Sequence, residues 1–530
     1  MPDELDPPHE PGLLHELLDH AAARWPDRAA VTVAGSTLDY RELDAASRRL
    51  AVRLHSSGLR RGRRLLIRTA AAPVLPALLH AASRLGVVFC VLHEHVRGAP
   101  LRHVLADCEP ALFVSDEEEA LDEAAALGVP TAALKQLDHD AFDPRGPLDQ
   151  PLPQQPLGVD PVCLIYTSGT TSLPKAVVST HGQLLFSVRA IQSRLGYRSD
   201  DKVFSPLPFS FDYGLYQLFL STAAGAHLHV AGAAETGLRF VDALRSTGAT
   251  VLPAVPSLAG TLAALAARNN MPPSRLRLLT TTGAAMPPGL ADTLRATLPG
   301  LSVQIMFGLT ECKRATIMPP DGDIERPGSS GTALPGTEIL IIDEEGRPQP
   351  AGTVGQIVVR GPHVMAGYWR RPQETPERFH PDQGLFPQLR TGDYGHLDED
   401  GYLYVEGRRD DLYKENGFRV STTEVEAAAL RIAGVTSAAV LAPAAGRNAH
   451  LFVVGEMSAN QVLAQLRDRI ETYKIPQHCS VVPHLPLTAH GKVDRRALAR
   501  AAVTGTAGTP PEAPRDRPTT RPAPHELPSP

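Results

Sequence analysis

From residue 10 to about residue 310 the sequence alternates between two apolar periods, and that alternation limits the folds open to it. LLHELLDHAAARW is apolar at helical spacing, AAVTVAG is a short extended run, and YRELDAASRRLAVRLHSSG is a second helix that stops at Gly58. RRLLIRT, PVLPALLHAASRLG and VVFCVL repeat the rhythm, and ALFVSD, LDEAAALG and TAAL follow. A strand–helix alternation of this length predicts a mostly parallel sheet with helices on both faces. A Pro-, Gln- and Asp-rich stretch from about Asp140 to Pro161 reads as a surface connection. VCLIYTSG then reads as a buried strand, and a helix is expected from about His181. Strand–helix units continue through KVFSPLPF, GAHLHVAG, ATVLPAVP, LRLLTTTG and LSVQIMFG.

From about Thr332 the texture shifts to short strands and turns (TEILIIDEEG, GQIVVRGP, GYLYVEG), which predicts a β-rich subdomain. A smaller α+β unit is expected from about Asp411 to Ala502, and the last stretch, rich in proline, has too little to bury and is expected to be disordered. At 530 residues the chain has room for two to four domains. A net charge of −6, with no basic run interleaved with aromatics, argues against nucleic acid as a partner. The five cysteines are odd in number and scattered, which fits neither a disulfide framework nor a zinc site and points to a reducing cytoplasm. MPDELDPPHEPG at the N-terminus is acidic and has no apolar core, so no secretory leader is expected. No apolar run approaches the ~20 residues of a membrane span. Only seven lysines occur among 52 basic residues, so a lysine inside a motif carries unusual weight.

YTSGTTSLPKA, residues 166 to 176, follows the VCLI strand. Hydroxyl side chains and a glycine at a strand end offer short donors and backbone N–H groups to phosphate, and Lys175 adds a cation. The P-loop pattern, G-x-x-x-x-G-K followed by Ser or Thr, is not met, because Pro174 precedes the lysine and Ala176 follows it. A plain polar turn with one lysine stays open on this stretch alone.

The loop resembles the phosphate motif of the adenylate-forming superfamily, which includes acyl-CoA synthetases, firefly luciferases and the adenylation domains of nonribosomal peptide synthetases. Further matches stand in the family's order: LDYREL (38–43), MFGLTE (306–311), GQIVVRGPHVMAGYWRRP (355–372), RTGD (390–393), GRRDDLYKENGFRVSTTEVE (407–426) and LPLTAHGKVDRRAL (485–498). They span about residues 10 to 500. The resemblance implies an α/β fold with a large N-terminal domain (1–406) of mainly parallel sheets covered by helices, a β-rich subdomain (about 332–406), and a mobile small α+β domain (407–503) hinged at Asp410. Residues 504–530 would be the tail.

The family's reaction joins a carboxylate to the α-phosphate of ATP, releases pyrophosphate, and passes the acyl group to a thiol. By resemblance, Thr167, Ser168, Gly169, Thr170, Thr171 and Lys175 hold the β- and γ-phosphates, with Thr310 beside them, and Glu311 holds Mg²⁺, a hard cation that takes oxygen ligands. Asp393 accepts the ribose hydroxyls with help from Arg408. Gly283, Ala284 and Ala285 wall the adenine, and Phe307 stacks where the family usually has tyrosine. Lys492 supplies a cation where charge gathers in the transition state. If the loop needs left-handed backbone at Ser172 and Ala176, where the family has glycine, strain of about 1–2 kcal/mol each is expected.

SFDYGLYQLF aligns with the segment in which amino-acid-activating members carry an aspartate for the substrate amine, here Asp212. Tyr213, Tyr216, Thr280, Thr282, Met306, Arg314 and Ala315 are expected to line the pocket, and the bulk of Tyr213, Tyr216 and Met306 favours a small acid. Arg314 leaves two alternatives open: it pairs with Asp212, which weakens the amine reading, or it receives a second carboxylate on the substrate. No carrier domain follows residue 500, so the expected acceptor is the phosphopantetheine thiol of a separate carrier protein. Coenzyme A as acceptor, in an acyl- or aryl-CoA ligase, is the alternative. A non-catalytic paralogue that binds nucleotide or carrier is a third reading, which the retained Lys175, Glu311, Asp393 and Lys492 oppose. Neither membrane nor nucleic acid is expected as a partner.

Overall fold

Runs such as Leu65–Ile67 and Val88–Leu92 are buried along their whole length, the mark of strands covered on both faces. The structure, a computed structural model, describes residues 10–148, 154–167, 174–237, 239–268, 275–381, 387–408, 412–415, 418–443, 448–470, 474–488 and 493–504. Two large sheets emerge. One has six strands, in spatial order Thr131–Ala133, Leu112–Ser115, Arg64–Arg68, Val88–Leu92, Pro161–Thr167 and Lys175–Thr180. All of its neighbours are parallel except the last pair. The other has nine: Thr332–Ala333, Thr316–Ile317, Ser302–Phe307, Leu278–Thr281, Val251–Ala254, Lys202–Ser205, His227–Val230, Ala29–Val33 and Ser36–Asp39. Its middle is parallel and its edges are antiparallel. The α/β fold with mainly parallel sheets is as the sequence predicts.

Helices Leu14–Arg24, Tyr40–Ser56, Leu75–Arg84, His181–Leu195 and Asp212–Ala224 share one apolar core with residues of both sheets, among them Leu65, Phe89, Val31 and Val203. LDYREL proves to be a folding device. Asp39 Oδ1 accepts the Glu42 N–H at 2.7 Å, and Glu42 Oε2 accepts the Asp39 N–H at 3.0 Å, a reciprocal cap on the helix start. Tyr40, behind the cap, donates its hydroxyl to the Ala226 carbonyl at 2.7 Å.

Two elements depart from the sequence reading. KAVVST forms the strand Lys175–Thr180 before the expected helix, because its two valines are buried on opposite faces of the sheet, Val177 in one apolar cluster and Val178 in another. Helix Leu134–Phe142 occupies the start of the stretch read as a connection. The antiparallel sheet of the β-rich region begins at Glu338 and is built from Glu338–Ile342, Gly355–Arg360, Phe379–His380, Gln388–Leu397 and Leu403–Arg408.

The chain divides into two compact units, Met1–Leu412 and Tyr413–Pro530. In the second, strands Val435–Leu441, His450–Gly455 and His478–Val481 form one sheet, with helices Thr422–Leu430, Ala459–Leu466 and Arg495–Thr504. The STTEVE stretch ties that unit together: Glu424 pairs with Lys474 at 2.7 Å and Glu426 with Arg495 at 2.8 Å. Among the described residues, no helix is long and apolar enough to cross a membrane.

Candidate active site

The loop opened by Thr167 is bounded by an antiparallel rung. Strand Pro161–Thr167 runs into it, strand Lys175–Thr180 leaves it, and the register sets Thr167 opposite Lys175. Thr167 donates its hydroxyl to the Lys175 carbonyl at 3.4 Å. Ser168, Gly169, Thr170, Thr171 and Ser172 lie outside the described residues. The strain expected at Ala176 is not there: it sits in the strand opposite Tyr166, fully buried, and is not among the residues with positive φ. A small side chain there fills the sheet's apolar layer.

Lys175 Nζ meets Glu374 at 2.5 Å and lies 4.9 Å from the centre of the Tyr368 ring, within cation–π range. The Tyr368 hydroxyl donates to Glu311 Oε1 at 2.7 Å. Tyr368 thus touches both residues assigned to the phosphates and their metal. Glu311 is buried, and its carbonyl accepts the Met365 N–H at 2.8 Å, so the MAGYWRRP stretch braces it from side chain and backbone. A buried, oriented carboxylate is the oxygen donor that Mg²⁺ takes, and the residues fit that ion. Burial and the Glu311 carboxylate together push the Tyr368 phenol up, so it stays a proton donor. Sequence reasoning gave Tyr368 and Glu374 no role; the signal was their place in and just after GYWRRP.

The residues expected to wall the adenine lie where open α/β sheets bind ligands, past the carboxyl ends of parallel strands. Gly283 (φ 92°), Ala284 and Ala285 follow strand Leu278–Thr281, and Phe307 ends the neighbouring parallel strand Ser302–Phe307. Thr310 opens the turn that leads to Glu311. Asp393 and Arg408 face each other across antiparallel strands, with Arg408 Nε 3.4 Å from Asp393 Oδ1.

The residues expected to line the acid pocket centre on helix Asp212–Ala224, whose first turn carries Asp212, 4% exposed. A negative side chain there is favoured by the helix dipole. Gly214 is required: a Cβ at that position would collide with the carbonyls of Leu207 and Pro208. Tyr213 shares hydrogen bonds with Thr280, 2.7 Å to its carbonyl and 2.6 Å to its hydroxyl. Tyr216, Thr282, Met306, Arg314 and Ala315 are buried as well. Arg314 Nη1 stands 3.4 Å from Asp212 Oδ2 and donates to the Lys313 carbonyl at 2.6 Å, while its guanidinium lies 4.5 Å over Tyr213. Of the two sequence alternatives for Arg314, the pairing with Asp212 is present, as a single long contact. Asp410 and Lys492 lie outside the described residues. A surface cleft lined by Arg61, Gly86 and Asp160 contains none of the candidate residues.

A family profile described as AMP-binding enzyme matches residues 18–369, and one described as AMP-binding enzyme C-terminal domain matches residues 424–492. The chain belongs to the AMP-binding enzymes. As one of them it is an ATP-dependent, AMP-forming ligase of the adenylate-forming superfamily, in which acids are joined to coenzyme A or to a carrier protein. This AMP-binding enzyme is 30% identical to a feruloyl-CoA synthase of Amycolatopsis sp, covering 88% of this chain and 94% of that protein. It is also 30% identical to the ligase of L-proline and L-prolyl-carrier protein from Streptomyces coelicolor, covering 88% and 92%. Among solved structures, the complex of VinN with L-aspartate shares 39% identity at a TM-score of 0.70, covering 74% of this chain and 98% of that chain.

Proposed function

We propose that the chain adenylates a small amino acid and then transfers it to the phosphopantetheine thiol of a separate carrier protein in the cytoplasm. The observation that carries this reading is Asp212, a carboxylate 4% exposed at the first turn of the pocket helix, held by one long contact. Arg314 Nη1 makes its shorter bond to the Lys313 carbonyl, so one long contact is all that a substrate ammonium displaces at Asp212. The names of the prolyl-carrier ligase and of the VinN complex with L-aspartate support an amino acid; that of the feruloyl-CoA synthase supports the alternative, an acyl- or aryl-CoA ligase.

In this reading the substrate carboxylate oxygen bonds to the α-phosphorus of ATP, the α–β anhydride bond breaks, and pyrophosphate leaves. Thr167, Ser168, Gly169, Thr170, Thr171, Thr310 and Lys175 hold the phosphates, and Glu374 yields Lys175 to them. Glu311, set by Tyr368, would hold Mg²⁺, which when bound would neutralise phosphate charge. Asp393 and Arg408 fix the ribose; Gly283, Ala284, Ala285 and Phe307 enclose the adenine. Lys492 stabilises the charge that builds on the reacting oxygens, and Asp410 is the hinge that re-presents the small domain for thioester formation.

Pyrophosphate exchange over a panel of amino acids and simple carboxylic acids tests the first half. Mass spectrometry with coenzyme A or with phosphopantetheinylated carrier proteins tests the second. Exchange confined to acids without an amine, with thioester formed on coenzyme A, would overturn the proposal in favour of its alternative.

A further inference from the structure

Lys313 is a cation in a place where cations are rarely left. It is 1% exposed, and among the described residues its Nζ has no hydrogen-bond partner. Its backbone is left-handed (φ 60°), and a Cβ on Gly308 would collide with its carbonyl, so a tight turn holds it in place. An outlier of this kind in a functional loop is a reason to look for a role. The composition sharpens the point, since arginine supplies nearly all the basic residues elsewhere in the chain.

The surroundings limit what that role is. Lys313 Nζ lies 5.7 Å from the Tyr216 ring, and Arg314 lies 4.5 Å over the Tyr213 ring, so two neighbouring cations sit on two tyrosines of the pocket helix. Asp212 is the carboxylate facing them, 3.4 Å from Arg314. Glu311 also acts on Lys313, but it is engaged by Tyr368. Cys163 and Cys312, the other acids near Lys313, supply no charge, because burial pushes both thiols up to about 12. Burial already lowers the Lys313 ammonium from its usual range and Asp212 counters that, so once an amino acid's ammonium takes Asp212, Lys313 and Arg314 stay charged beside each other only if the substrate brings an anion.

We propose that the substrate carries a second carboxylate, received by Lys313 and Arg314 beside Tyr213 and Tyr216, so that the acid is a short amino dicarboxylic acid. This rests on the amino-acid reading above, and the test separates the two. Four acids are compared in pyrophosphate exchange: aspartate, alanine, succinate and propionate, which carry both groups, the amine only, the second carboxylate only, and neither. Aspartate is expected to exceed alanine by about 100-fold in kcat/KM, since a buried polar seat strongly rejects an analogue that leaves it unpaired. A ratio below about 10-fold overturns the second-carboxylate seat and leaves the amino-acid reading standing. Succinate equal to aspartate keeps the seat and overturns the amine reading; exchange with propionate alone, or with none of the four, overturns both. Lys313→Met keeps the side-chain length and removes the charge, and it is expected to cut the aspartate-to-alanine ratio about 10-fold. A folded variant with an unchanged ratio removes Lys313 from the seat, and the wild-type panel decides the substrate class should the variant not fold.

Discussion

At the phosphate end of the site Lys175 is matched by Glu374, Arg371 by Asp107, and Glu311 by the Tyr368 hydroxyl, so each charge has a partner within the protein. At the acid end Arg314 makes one long contact with Asp212, and among the described residues the Lys313 Nζ has no hydrogen-bond partner. The first region is half-open and balanced, with Lys175 24% and Glu374 39% exposed; the second is closed and cationic, with Lys313 and Arg314 at 1% and 5%. A balanced site handles a ligand common to every member of the family. A surplus of buried charge asks for one particular ligand.

The largest effect expected is one that ignores this contrast. Lys492→Ala should lower pyrophosphate exchange at least ~100-fold, as loss of one transition-state donor does, and by the same factor for every acid tested. Normal exchange by that variant would refute the role. Tyr368→Phe removes a charge-assisted hydrogen bond of roughly 1.5–3 kcal/mol and should raise KM for ATP about 10-fold, leaving the ranking of acids unchanged. A shift in acid preference instead would show that the two ends are coupled through Glu311.

Acid should act on both ends together, through the core they share. Burial lowers His15 and His80 from 6.5 to about 3 and His181 to about 4. These rings are neutral in the folded chain and take protons once it unfolds. Their contribution is therefore complete above about pH 6.5 and falls as pH drops towards 4, by up to ~1.4 kcal/mol per pH unit for each ring. Urea midpoints measured between pH 7.5 and pH 5 check this, and His80→Leu should flatten the slope. The smallest effect is expected from Ser172→Gly, within about twofold of wild type, since glycine tolerates any backbone that serine adopts. A severe loss would mean that the Ser172 hydroxyl itself touches phosphate.

At the phosphate end the sequence pointed to Lys175 and Glu311 because YTSGTTSLPKA and GLTE are short local patterns, and the structure sets both residues against Tyr368. The fold followed from strand–helix alternation for the same reason, its signals being local. KAVVST was missed as a strand because a valine pair after Pro174 gains strand character only from the sheet it joins. Tyr368 had no visible chemistry until the chain brought it to Glu311, 57 residues away in sequence. The run ECKR puts Lys313 close to the site with Arg314 but gives it no role, since a lysine beside an arginine at a pocket edge is ordinarily solvated or paired. Only its burial in the folded chain makes it stand out.

Five residues, Glu311 to Ala315, join the two regions, with Glu311 at Tyr368 and Lys313 and Arg314 over Tyr216 and Tyr213. Glu311 is anchored by Tyr368 and Met365, Ala315 by the Phe307 carbonyl at 2.9 Å, and the Gly308 backbone sits against the carbonyl of Lys313 rather than its side chain. The middle of the turn is thus a cassette whose side chains can be exchanged while both ends stay fastened. Redirecting such an enzyme to another acid then becomes a graft at positions 313 and 314, with ATP chemistry inherited intact.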